Sequence, residues 1–155
     1  MTSWSQVERE APELAARAKG FLDAHTHLTL ATLRRDGSPR ISGTEIVWSG
    51  GDLYIGSMWR AVKALDLIRD PRYALHSGSA DPDDGWQGDA KLAGRAEELS
   101  EDEISRVFPD RKGPSRMHSF RLHVSELVVV GLDEPREHMV IDSWHEGRGL
   151  TTRKR

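Results

Sequence analysis

The sequence contains no cysteine. That absence removes disulfide frameworks, thiolate zinc centres and cysteine nucleophiles together. It suits a reducing compartment, so a cytoplasmic protein is expected. No apolar run approaches the ~18 residues needed to span a bilayer. The opening residues, MTSWSQVERE, lack the basic-then-apolar order of a signal segment. No membrane partner is expected. Charge of one sign is missing too: 22 basic against 25 acidic residues leave a formal charge of -3. Nucleic-acid binders present a basic face and a high pI, so nucleic acid is not an expected partner.

Recognisable catalytic signatures are also absent. There is no G-x-S-x-G elbow, P-loop, GxGxxG, HExxH or EF-hand loop. Seven histidines raise the question of a metal. His25 and His27 stand at i, i+2, which shares a face only in an extended segment. A third ligand would come from His76, His118, His123, His138 or His145, and no spacing favours one of them. Zinc needs three or four convergent ligands, so no metal site is expected.

What is present is one domain, since 155 residues fall within the usual single-domain range of roughly 100–200. Such a chain buries a core without staples. Trp4, Val7, Ala11, Leu14, Ala18 and Phe21 recur at three and four, one apolar stripe of a helix over 3–23. Pro12 predicts a break near Ala11. A barrel of about six or seven antiparallel strands follows over 26–145, with two or three peripheral helices. The class is mostly β, or α+β. Ser100 and Glu103 form a capping box for a short helix. The tail 146–155, EGRGLTTRKR after His145, is basic and reads as disordered if free.

Residues 28–76 carry the chemistry. Leu28–Leu33 is a strand, Asp36-Gly37 a hairpin turn, and Pro39–Trp48 the return strand. Ser49-Gly50-Gly51-Asp52 turns the chain into a third strand that ends in Gly56-Ser57. A helix opens at once, with Trp59-Arg60-Ala61-Val62-Lys63, and Pro71 stops it. Unpaired N–H groups and the positive dipole end favour an anion at a helix start. Arg60 and Lys63, at i and i+3, face one anion together, or else pair with Asp66 or Asp70 at the surface. Arg40, Ser42 and Thr44 share one face of the second strand. Gly43 and Gly56 permit a flat ring to approach the backbone, or else mark bulges.

In their order and spacing, "ATL…DGSPR" (31–40), "GS…K…L…DPR" (56–72) and "GRAEEL" (94–99) resemble the pyridoxamine 5′-phosphate oxidase-like split β-barrel flavoproteins. This superfamily includes flavin reductases and users of a deazaflavin coenzyme. The resemblance is densest over 25–78. It implies a homodimer with two cofactor sites at the subunit interface. FMN, or alternatively the deazaflavin, would lie along strands two and three with its phosphate at the start of the helix. The implied cofactor set is Arg40, Ser42, Gly43, Thr44, Gly56, Ser57, Met58, Arg60 and Lys63. Lys91 and Arg95 would add charge. Trp86 and Trp144 would cover the ring from the partner subunit or close the pocket, unless they pack in the core.

The pattern departs from the oxidase at two places. Glu45 stands where the second strand carries a basic residue, and the arginine–histidine substrate motif is not recognisable in SWHEGRGLTTRKR. A relative acting on another small organic substrate is expected, with no catalytic residue named, because the cofactor carries the chemistry. The alternative is a non-catalytic protein that stores or senses a flavin or tetrapyrrole-like ligand.

Overall fold

A computed structural model describes residues 1–112 and 116–155; most of the RKGPSR loop named by the sequence, residues 113–115, lies outside them. Helix α1 (Trp4–Glu10) and helix α2 (Pro12–Asp23) open the chain. The expected break falls at Ala11 (φ −142°, ψ 60°), with Pro12 in the first turn of α2, where its missing N–H costs nothing. Trp4, Val7, Leu14, Ala18 and Leu22 are buried on one face against the sheet.

Nine antiparallel strands follow among the described residues, against the six or seven the pattern suggested. They are β1 (Leu28–Leu33), β2 (Pro39–Thr44), β3 (Ile46–Ser49), β4 (Asp52–Met58), β5 (Arg72–His76), β6 (Asp89–Glu98), β7 (Met117–Leu132), β8 (Met139–His145) and β9 (Gly149–Lys154). Helix α3 (Val62–Arg69) separates β4 from β5, and helix α4 (Glu101–Val107) separates β6 from β7. The strand order is β2-β1-β5-β6-β7-β4-β3, with β8 and β9 branching from β7. The sheet is not closed, which is the split-barrel arrangement.

Two additions explain the count. The single return strand expected over 39–48 divides at Glu45: β2 pairs with β1, whereas β3 pairs with β4. The tail is a strand as well. Residues Gly149–Lys154 pair with β8 in register from His145↔Gly149 to Val140↔Lys154. Strand β7 is the fork, pairing β4 through Met117–Arg121 and β8 from Glu126 onward. A bulge falls between these halves, where Ala93 opposes Glu126 but Gly94 opposes Val124. A Cβ on Gly94 would sit 1.8 Å from the His123 carbonyl oxygen, so only glycine fits.

Candidate functional site: a groove between β2, β4 and the start of α3

Helix α3 begins later than the sequence suggests. Pairing of Met58 with Met117 carries β4 to Met58. Trp59, Arg60 and Ala61 then form a tight turn, and Arg60 is left-handed at φ 60°. Arg60 therefore lies before the helix and does not share a helical turn with Lys63. A non-glycine residue in that region is strained by ~1–3 kcal/mol, and such strain gathers at functional sites. Its guanidinium is exposed and makes no ion pair or hydrogen bond among the described residues. The cap residue of α3 is Ala61, whose side chain bonds nothing, so the first N–H groups are left for another acceptor.

Two adjoining cavities share Glu45, Gly56, Ser57 and Met58 as a common wall. The first, about 380 Å³, adds His27, Gly43, Thr44 and Lys63. The second, about 430 Å³, adds Arg111, Lys112 and Met117. Of the residues singled out in the sequence, Gly43, Thr44, Gly56, Ser57, Met58 and Lys63 thus come together. Lys63 donates to the Gly43 carbonyl at 2.7 Å. Burial pulls its ammonium pKa down, and Glu45 only partly restores it. A cation in that condition is stabilised by any incoming anion. Beside it, the Ser57 hydroxyl is buried with no hydrogen-bond partner.

Glu45 stands in the groove wall, but the two acids of α3 and its end, Asp66 and Asp70, are engaged elsewhere. Asp66, 2% exposed, accepts from Thr32 at 2.9 Å, Arg40 at 2.7 Å and Arg69 at 3.0 Å. Burial pushes the Asp66 carboxyl upward, but these three donors outweigh it and hold the pKa below the ordinary value. Asp70 is gripped by Arg72 and falls to about 2.

Other expected site residues take different places. Arg40 shares a face with Ser42 and Thr44, as the period of two requires, but its guanidinium is committed to Asp66. Trp144 is 1% exposed in the core and donates its indole N–H to Glu10 at 3.1 Å. Such a residue cannot stack on a ligand, because its rings are enclosed by its own subunit. Trp86 is half-buried in the loop between β5 and β6, and Lys91 is exposed on β6; neither lines the groove. Missed by the sequence were Met117 and His118, which reach this end only because β7 pairs with β4. Strand register over such separations leaves no local signal.

An open, forked antiparallel sheet with peripheral helices is the split-barrel arrangement. Residues 14–131 match the family model described as pyridoxamine 5′-phosphate oxidase, and the chain belongs to that family. Among solved structures it is similar to PhzG from Burkholderia lata 383, in complex with tetrahydrophenazine-1-carboxylic acid (TM-score 0.72, 14% identity, 94% of this chain and 92% of that one). It is also similar to an F420 reductase (TM-score 0.53, 16% identity, 70% and 94%). A third is a heme binding protein from Mycobacterium smegmatis (TM-score 0.58, 23% identity, 86% and 55%). At these identities the likeness is one of fold. No curated protein matches the sequence.

Proposed function

We propose that this protein binds FMN, or its deazaflavin counterpart, in the groove and acts as an oxidoreductase on a small organic substrate. The observation that carries the reading is the pairing of an under-compensated Lys63 with the unpartnered Ser57 hydroxyl at the uncapped start of α3. A phosphate supplies what both lack. The residues fit the group: Lys63, Ser57 and the first N–H groups of α3 would hold its phosphate. Gly43, which has open space at its Cβ position, would let the ring edge approach β2. A bound flavin supplies hydride transfer, while the chain binds it, orients it and excludes water. An F420 reductase and PhzG with a tricyclic carboxylic acid among the similar folds support a flavin-type ligand of this size.

The site is completed by a second copy of the chain. Met58 lines the groove, Val62 opens α3 and Ile41 lies on β2, with 75%, 53% and 74% of their surfaces exposed. Clustered exposure of large apolar side chains marks an interaction surface. Titrating the purified protein with FMN and with the deazaflavin, followed by stopped-flow reduction, tests the reading. A shifted absorption spectrum with substrate-dependent reoxidation supports an oxidoreductase. Binding without turnover by any donor favours the storage alternative, and no affinity for either cofactor rejects both.

A further inference from the structure

Two polar atoms with nothing to bond sit under one end of the groove. Ser57 and His118 are register partners across β4 and β7, so their side chains project from the same face of the sheet. Ser57 is 7% and His118 5% exposed, and both Ser57 Oγ and His118 Nε2 are buried without a partner. Native interiors satisfy almost all such atoms, so two on adjoining side chains point to a group that joins them from outside the chain. The other imidazole nitrogen is occupied: Nδ1 lies 2.7 Å from Glu98 Oε1. An ionised carboxylate only accepts, so the neutral ring carries its proton on Nδ1 and presents a lone pair at Nε2.

The cover over this spot is a turn residue. Trp59 stacks on the His118 ring, with centroids 4.5 Å apart and planes 8° from parallel, and the Arg116 guanidinium lies over the indole, 3.8 Å from its ring centre. Trp59 is itself 41% exposed and precedes the strained Arg60.

We propose that His118, backed by Glu98, is a ligand of the oxyanion that docks in the groove, and that Trp59 is the side chain displaced to admit it. The proposal rests on the anion-binding reading above and adds to it a new, ionisable ligand. The ligand class is a doubly charged oxyanion, such as a phosphate monoester. A lone pair repels an oxyanion, so docking takes up one proton at Nε2; the resulting imidazolium lies between Glu98 and the bound anion, with the Ser57 hydroxyl donating beside it. The groups facing His118 are Glu98 from β6, Ser57 from β4 and Arg116 across Trp59, with Lys63 and Glu45 in the adjoining groove wall. Arg116 and Lys63 oppose the imidazolium, whereas Glu98, Glu45 and the incoming dianion favour it. Affinity therefore falls between about pH 6 and about pH 8, as the proton to be taken up becomes scarcer.

Sulfate is the suitable probe, because it stays a dianion throughout that range. The full chain is titrated with sodium sulfate at about pH 6 and about pH 8, followed by NMR of the histidine ring nitrogens and backbone amides, with sodium chloride at equal ionic strength as the blank. The expected result is that His118 gains its second ring proton at the same midpoint as the Gly43 and Lys63 amides shift. Binding is then about tenfold tighter at the lower pH, and His118→Gln abolishes that pH dependence while the amide shifts persist. If the amides move while His118 keeps its Nδ1–H tautomer, this proposal is overturned and the groove remains an anion site. If neither moves, the anion-binding reading falls with it. Should His118→Gln fail to fold, the ring spectrum of the unaltered protein still decides.

Discussion

Asp66 shows how one residue frees the site by occupying its neighbours. Its buried carboxylate gathers Thr32, Arg40 and Arg69, so neither arginine nor the acid interferes with Lys63. Removing one partner of a buried ion pair leaves the other charges uncompensated. Asp66→Ala is therefore expected to cost about 3–5 kcal/mol in urea unfolding, and a loss under about 1 kcal/mol would contradict the role given to it. The acid limb of stability follows from the same kind of contact. Asp66, Asp70 and Asp133 all have folded-state pKa values below the ordinary one, the last two at about 2. Depressed carboxyls contribute stability that is fully present above the unfolded value near 3.9. It is lost as pH falls through the folded values. Thermal midpoints should hold down to about pH 4 and then drop steeply toward pH 2; a decline beginning near neutrality would place the dominant group elsewhere.

At the scale of elements, β7 and its bulge set the fork that makes the barrel split. Gly94→Ala forces a methyl onto the His123 carbonyl and should destabilise by on the order of 3 kcal/mol, read by chemical denaturation. The capping box of α4 is complete, with Ser100 Oγ and the Glu103 carboxylate each bonding the other's backbone N–H. Ser100→Ala should lower stability by about 1 kcal/mol without touching ligand binding. Features of this local kind were legible in the chain: Asp36-Gly37, Gly50-Gly51, the break at Ala11, the stop at Pro71 and the capping box all follow from neighbouring residues. What escaped was non-local. Strand β2 looks continuous with β3 until their different partners divide them at Glu45. The tail gives no apolar alternation, yet β8 supplies its hydrogen bonds. Arg40 reads as a phosphate ligand because its acidic partner lies 26 residues away. Trp144 reads as a ring cover until the core encloses it.

For the whole molecule, one open sheet carries α1 and α2 against its core and leaves the groove at the junction of β4 and α3. The family is that of pyridoxamine 5′-phosphate oxidase, and the second copy proposed above would cover the exposed Met58 and Val62. Light scattering should give twice the chain's 17.4 kDa. Val62→Glu should shift the distribution toward single chains, because it places a charge in the proposed contact. The most direct measurement is a fluorescence titration of FMN, and in parallel of the deazaflavin, into the protein and its Lys63→Ala variant. Saturable binding that weakens by about 1–3 kcal/mol on substitution is the predicted result. Affinity unchanged by the loss of Lys63 would contradict the anion site at the start of α3.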